Sequence, residues 1–203
     1  MKLFIIFKGS SNMVPSEWER RELDKLKHIK WGFQKNAWCD GQFSRVWVTC
    51  FARCLRREAG GGRHLLILDE LKAHKTEAFK QLCLSLGIFP VFVPAHCTDV
   101  CQPIDGGLGK ILKDMISAFY RIQLEVCIDE WRDFSNSPLS APKRRVMMAT
   151  WANKAWALVI EKYNPVIQGM FRRCGALVKR DQSNGASLEA CPRYNAFVPS
   201  YIN

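Results

Sequence analysis

Residues His64 to Leu108 read HLLILDELKAHKTEAFKQLCLSLGIFPVFVPAHCTDVCQPIDGGL. An apolar run, Leu65-Leu66-Ile67-Leu68, ends on Asp69, and a second, Ile88 to Val93, leads through a turn-rich segment to Gln102-Pro103-Ile104-Asp105. Between the runs Ala78, Phe79, Leu82, Cys83 and Leu86 recur at helical spacing over Thr76 to Leu86, and Gly87 stands where a helix C-cap belongs. Strand, helix and strand over about thirty residues form a βαβ unit, so the two strands are expected to be parallel and adjacent. Pro90 suits an edge position for the second strand. In an open parallel sheet functional groups gather beyond the carboxyl ends of the strands. Asp69 occupies such an end and Asp105 lies beyond the neighbouring one, at the entry to a helix, so the two carboxylates are expected to converge.

Upstream, KLFIIF (Lys2 to Phe7) reads as an apolar strand and IKWGFQKN (Ile29 to Asn36) as a shorter one. From Gln42 to Arg57, Phe43, Val46, Trp47, Cys50, Phe51, Cys54 and Leu55 form a helical stripe, with Arg45, Arg53 and Arg56 off it. Downstream, a long helix is expected from Leu108 to Trp131, carrying Leu112, Met115, Ile116, Phe119, Ile122 and Val126 on one side. SNSPLSAP interrupts it, and helices over Lys143 to Lys162 and Pro165 to Arg173 follow. The domain reading is therefore residues 1–178 as one α/β domain with a helical C-terminal extension, and residues 179–203 as a tail.

The chain has 203 residues, 48% hydrophobic and 24% charged, which suits a folded domain rather than a disordered one. Its 30 Lys and Arg against 19 Asp and Glu give a net charge of +11, a balance that fits a polyanionic partner such as nucleic acid. The basic residues form short clusters: Arg56-Arg57, Lys143-Arg144-Arg145, Arg172-Arg173 and Lys179-Arg180. Nine scattered cysteines point to a reducing compartment, and Leu3 to Phe7 is too short for a signal h-region. No run reaches the roughly 18 apolar residues of a membrane span, so a soluble chain without membrane partners is expected.

LLILDELKAHKTEAFKQL and FVPAHCTDVCQPIDGGLGKILKD together resemble the catalytic half of the DDE endonuclease domain of pogo-like transposases, with mariner-like enzymes more distant. Members carry an apolar strand ending in Asp-Asn with a His shortly after, then a strand, a Thr-containing turn and Gln-Pro-x-Asp entering a helix. LFIIFKG and NAWCDGQFSRVWVTCF are similar to earlier family segments, and ATWANKAW and VIQGMFRRCGAL to later ones. The resemblance implies a ribonuclease H-like mixed sheet with flanking helices. It also implies three carboxylates holding two Mg²⁺ or Mn²⁺ ions for DNA strand cleavage and transfer. By position Asp69 resembles the second acid and Asp105 the third, which makes both catalytic and metal-ligand candidates. The chain opens on what resembles the family's third strand, so the first strands are expected to be missing. The first acid has no counterpart, since Glu17, Glu19, Glu22 and Asp24 fall after that strand in what looks like the family's variable insert. DNA as partner and the nucleus as location follow from the resemblance, which leaves room for a homo-oligomer. A rival from another class is an inactive DNA-binding or oligomerisation module.

Plainer roles stand beside these. An acid at a strand end is often a turn residue, and Asp105 alone suits a helix N-cap. His74 stands at the family's His position and serves either near a phosphate or as a hydrogen-bonding turn residue, the latter favoured. Glu70 replaces the usual Asn and, one residue from Asp69, points to the opposite face of a continuing strand. Asp99 reads as a turn former. His96, Cys97 and Cys101 lack the second tight pair of a structural zinc site. Trp151 and Trp156 read as core, although an exposed aromatic can stack on an unpaired base.

Overall fold

The computed structural model describes residues 1–9, 15–59, 62–94, 97, 101–126 and 140–174. Two compact units divide the chain: Met1–Asp40 with Ile111–Glu161, and Gly41–Lys110 with Lys162–Asn203.

In the first unit, β1 (Leu3–Lys8) pairs parallel with β2 (Ile29–Gln34), Leu3 opposite Ile29 and Lys8 opposite Gln34. Between them lies α1 (Glu17–Asp24), which the sequence reading had assigned to an insert. Ser16 caps it, its hydroxyl accepting from the Glu19 N–H at 3.1 Å. Phe7, Leu23, Ile29, Phe33 and Ala149 form the core, with Leu3, Trp31 and Val146 packed around it. Ala149 and Val146 come from α5 (Ala141–Lys162), which is tied to the sheet at two points. The Asn153 side-chain oxygen accepts from the His28 N–H at 2.8 Å, and Trp156 Nε1 donates to the Met1 carbonyl at 2.9 Å. Trp151 is buried and meets Tyr120 of α4 (Gly109–Val126) edge-on, with ring centroids 5.4 Å apart. Trp151 is therefore a packing residue, as the sequence suggests, whereas Trp156 is half-buried.

Along α4 the stripe is half-buried at Leu112, Met115, Ile116 and Phe119, but Ile122 turns out to solvent. The helix ends within the described residues at Val126, and the expected continuation to Trp131 lies outside them.

In the second unit α2 (Gly41–Ala59), β3 (His64–Leu68), α3 (Glu77–Ser85) and β4 (Ile88–Phe92) follow in order. β3 and β4 are parallel, with His64 opposite Ile88 and Leu68 opposite Phe92, as the βαβ reading requires. Thr76 caps α3 by accepting from the Phe79 N–H at 3.3 Å. Gly87, at φ +75°, closes the helix in the left-handed conformation that glycine adopts without strain. Val48, Ala52, Leu66, Leu68, Phe79, Cys83 and Ile88 make the core.

One expectation needs correction. Helix α2 buries Ser44, Val48 and Ala52 most deeply, whereas Val46, counted on the apolar stripe, is 47% exposed. Small residues let the helix approach its neighbours closely, and Trp47 and Phe51, stacked with centroids 5.6 Å apart, flank that contact instead of centring it. The described strands form two parallel pairs, one in each unit, an α/β arrangement compatible with the expected ribonuclease H-like fold. Each pair saturates its ladder on one side only, which leaves β1, β2, β3 and β4 as edges among the described residues.

Burial has a chemical consequence at Cys83. With no solvent-accessible surface, its thiol is pushed up from the ordinary value of 9.0 to about 11, because the thiolate loses its hydration. Iodoacetamide at pH 8 is expected to spare Cys83 in the folded chain while labelling Cys54, and to label both in urea. Peptide mapping that finds Cys83 alkylated as fast as Cys54 without denaturant contradicts this packing. The sign of the linkage follows: Cys83 supports the fold fully below the unfolded thiol value of 9.0 and loses that contribution as pH rises toward about 11.

Candidate functional site

Parallel pairing sends β3 and β4 out of the sheet on the same side. The last ladder bond runs from the Val93 N–H to the Leu68 carbonyl at 2.8 Å, so Asp69 is the first residue free of the strand. Its carboxylate is 45% exposed. A tight turn follows, in which the His74 N–H donates to the Leu71 carbonyl at 2.9 Å. That turn swings His74 back under the strand end, where Nδ1 lies 3.2 Å from Asp69 Oδ1. With the carboxylate oxygen accepting, the ring N–H at this contact is the one on Nδ1. The ring is 13% exposed and rests on Phe79, centroids 5.2 Å apart. The sequence reading favoured a turn role for His74, but its side chain is spent on Asp69.

The strand ends at Leu68, so it does not continue through Glu70, which pairs with Lys75 Nζ at 2.6 Å. It adds no donor beside Asp69.

Asp105 is reached from the end of β4. Residues 95, 96 and 98–100 are outside the description, and with them His96 and Asp99. Cys97 is buried, and its carbonyl accepts from the Cys101 N–H at 2.8 Å. Gln102 follows, with a buried side-chain oxygen that has no hydrogen-bond partner among the described residues. Such an acceptor calls for a water, a donor or a cation. Asp105 then lies exposed in a π-helical turn, Ile104–Leu108, which runs on into α4. Pro103 is the cap residue, so the N-cap role considered for Asp105 does not hold: it sits one step inside the first turn. Gly107 permits that turn. Its φ is +142°, and a Cβ there would come within 2.9 Å of Met170 Cε on α6 (Asn164–Arg173). A side chain at Gly107 would be strained by that φ, even though the Met170 methyl, the end of a flexible side chain, can give way.

Asp69 and Asp105 thus belong to one unit, both accessible and both carboxylates. Among the described residues no three His, Cys, Asp or Glu side chains converge in a way that could hold a metal ion. Three of the acids near the start, Glu19, Glu22 and Asp24, are otherwise engaged. Glu19 is buried and receives both Arg145 Nε at 2.6 Å and Nη2 at 3.0 Å. Glu22 pairs with Lys25 Nζ at 2.6 Å, and Asp24 accepts from Trp31 Nε1 at 3.1 Å.

Within the Lys143-Arg144-Arg145 cluster, Arg145 points inward to Glu19, and its guanidinium lies 5.2 Å from the Phe33 ring centroid. One signal for it was present in the sequence. Ser16-x-x-Glu19 has the pattern of a capping box, which announces a helix start, yet Glu19 turns to Arg145 for its hydrogen bonds.

The chain is 26% identical over 110 residues to a Cochliobolus lunatus protein named MFS-type transporter clz9, a stretch that is 54% of this chain and 12% of that protein. The chain therefore spans about an eighth of that relative, and among the described residues no helix is long and apolar enough to cross a membrane. No solved structure matches the chain. The family model described as DDE superfamily endonuclease matches residues 1–165, a span that takes in Asp69, His74 and Asp105 and both strand pairs. The chain belongs to the DDE superfamily endonucleases.

Proposed function

We propose that this chain is a transposase-derived, ribonuclease H-like domain that binds DNA and whose Asp69 and Asp105 are ligands for a divalent cation. The observation that carries the reading is the placement of Asp69. It is an accessible carboxylate at the carboxyl end of a parallel strand, hydrogen-bonded by a half-buried imidazole, in the same unit as the exposed Asp105. Two carboxylates completed by water and phosphate oxygens suit the hard, octahedral Mg²⁺ ion, and Mn²⁺ accepts the same donors. A cation held there would supply Lewis-acid stabilisation of charge at phosphorus. The chain's own residues supply position. His74 fixes the Asp69 rotamer, and Gly107 seats the Asp105 turn on Met170. A nuclear site of action goes with this reading.

The second reading, a DNA-binding or oligomerising module without cleavage, is favoured by one observation: among the described residues no third carboxylate joins the two. A supercoiled-plasmid nicking assay with Mn²⁺ separates the readings. The proposal expects nicking that falls at least about a hundredfold in Asp69→Asn and in Asp105→Asn, the scale of losing a directly acting charged group. Binding without nicking would select the inactive module. Nicking that survives both substitutions would remove the site assignment.

A further inference from the structure

Helix α2 presents an arc of one sign. At 3.6 residues per turn, Arg45, Arg53, Arg56 and Arg57 fall within an arc of about 120°, beside the face that buries Ser44, Val48 and Ala52. All four arginines are exposed, and no acid precedes Glu58 on this helix. A solvated helix face ordinarily mixes signs at i,i+4 spacing. Here Arg53 stands three residues before Arg56 and four before Arg57, the spacing at which like charges repel. Arg56 and Arg57 lie in the last turn, where the helix dipole favours cations, and Arg57 also pairs with Glu58 at 2.8 Å. The dipole offers Arg45 nothing. Its side chain reaches back to the Gly41 carbonyl at 3.2 Å, over the first turn, where a cation is disfavoured.

We propose that this face of α2 is a ridge that tracks the phosphate backbone of nucleic acid, with Arg45, Arg53 and Arg56 as its contacts; the inference rests on DNA being the partner, as proposed above. Guanidinium forks match phosphate oxygens in pairs, which an ammonium cannot do. From Arg45 to Arg56 the ridge is about 16 Å long, room for several phosphates of one strand.

The test uses the full chain and a fluorescently labelled mixed-sequence duplex, with affinity measured across a salt series. The triple variant Arg45→Gln, Arg53→Gln, Arg56→Gln is compared with Arg20→Gln, Lys27→Gln, Lys35→Gln, which removes equal charge from exposed positions of the other unit. Circular dichroism checks that both triples fold. The α2 triple is expected to reduce the slope of log affinity against log salt by about 2.7, at about 0.9 per lost phosphate contact, and the control triple by clearly less. Equal slopes in the two triples would overturn the α2 assignment while leaving DNA binding intact. A wild-type chain that does not bind the duplex at all would overturn both this inference and the reading it rests on.

Discussion

Arg145→Met is expected to destabilise the chain by about 3–5 kcal/mol, because it strands the Glu19 carboxylate inside the first unit. Glu19 has no solvent-accessible surface, and both oxygens are taken by the Arg145 fork, so nothing replaces the lost donors. For a chain of this size that corresponds to a fall in melting temperature of roughly 6–20 °C. Arg145→Lys is expected to recover only part of the loss. It restores the charge but neither the paired hydrogen bonds nor the stacking on Phe33. The double variant Glu19→Leu, Arg145→Met removes both buried charges and is expected to regain most of the stability, since a well-packed apolar pair replaces a buried ion pair at little net cost. Urea unfolding followed by tryptophan fluorescence reads all three. A single Arg145→Met as stable as the parent would show that Glu19 is hydrated and that the core around Phe33 is not as described.

Phe79→Ala is expected to cost about 3–5 kcal/mol in the second unit and to disturb the candidate site as well. Phe79 is 1% exposed at the centre of a cluster with Leu66, Leu68, Cys83 and Ile88, and little can collapse into the space it leaves. Its ring also carries the His74 imidazole. Without that support His74 gains rotamer freedom, and Asp69 loses the group that fixes its orientation. Phe79→Leu keeps most of the volume and is expected to cost less, while still removing the aromatic contact. The two effects thereby separate: stability follows side-chain volume, whereas the hydrogen-bonded Nδ1 proton of His74, seen by NMR, broadens in both variants. A sharp, unchanged His74 signal in Phe79→Leu would mean that the ring contact does not hold the imidazole.

The βαβ segment was legible because its signals agree at every level. Apolar runs of strand length, Thr76 and Gly87 at the helix ends and the short connections all point to one arrangement, and the structure has it. Placing Asp69 at the strand end needed nothing more. Helix α1 escaped notice because Glu17–Asp24 is almost wholly polar and buries only Glu19 and Leu23, so periodicity carries little signal there. The α2 face was misjudged toward Val46 because hydropathy weighs large residues, while depth in this helix is set by Ser44 and Ala52, which are small. The inward pairing of Arg145 was not legible for another reason: its partner lies 126 residues away, and no local pattern encodes that distance. The contact between His74 and Asp69 was half legible, since spacing brought them close but only the turn at Leu71 decides where the ring points.

Calorimetric titration of the purified chain with Mn²⁺, beside Asp69→Asn and Asp105→Asn, tests the central claim most directly. Saturable binding that is lost in both variants, with circular dichroism unchanged, is the expected result and places the two carboxylates on one cation. Binding that persists in both variants, or a folded wild-type chain that takes up no Mn²⁺, would contradict it.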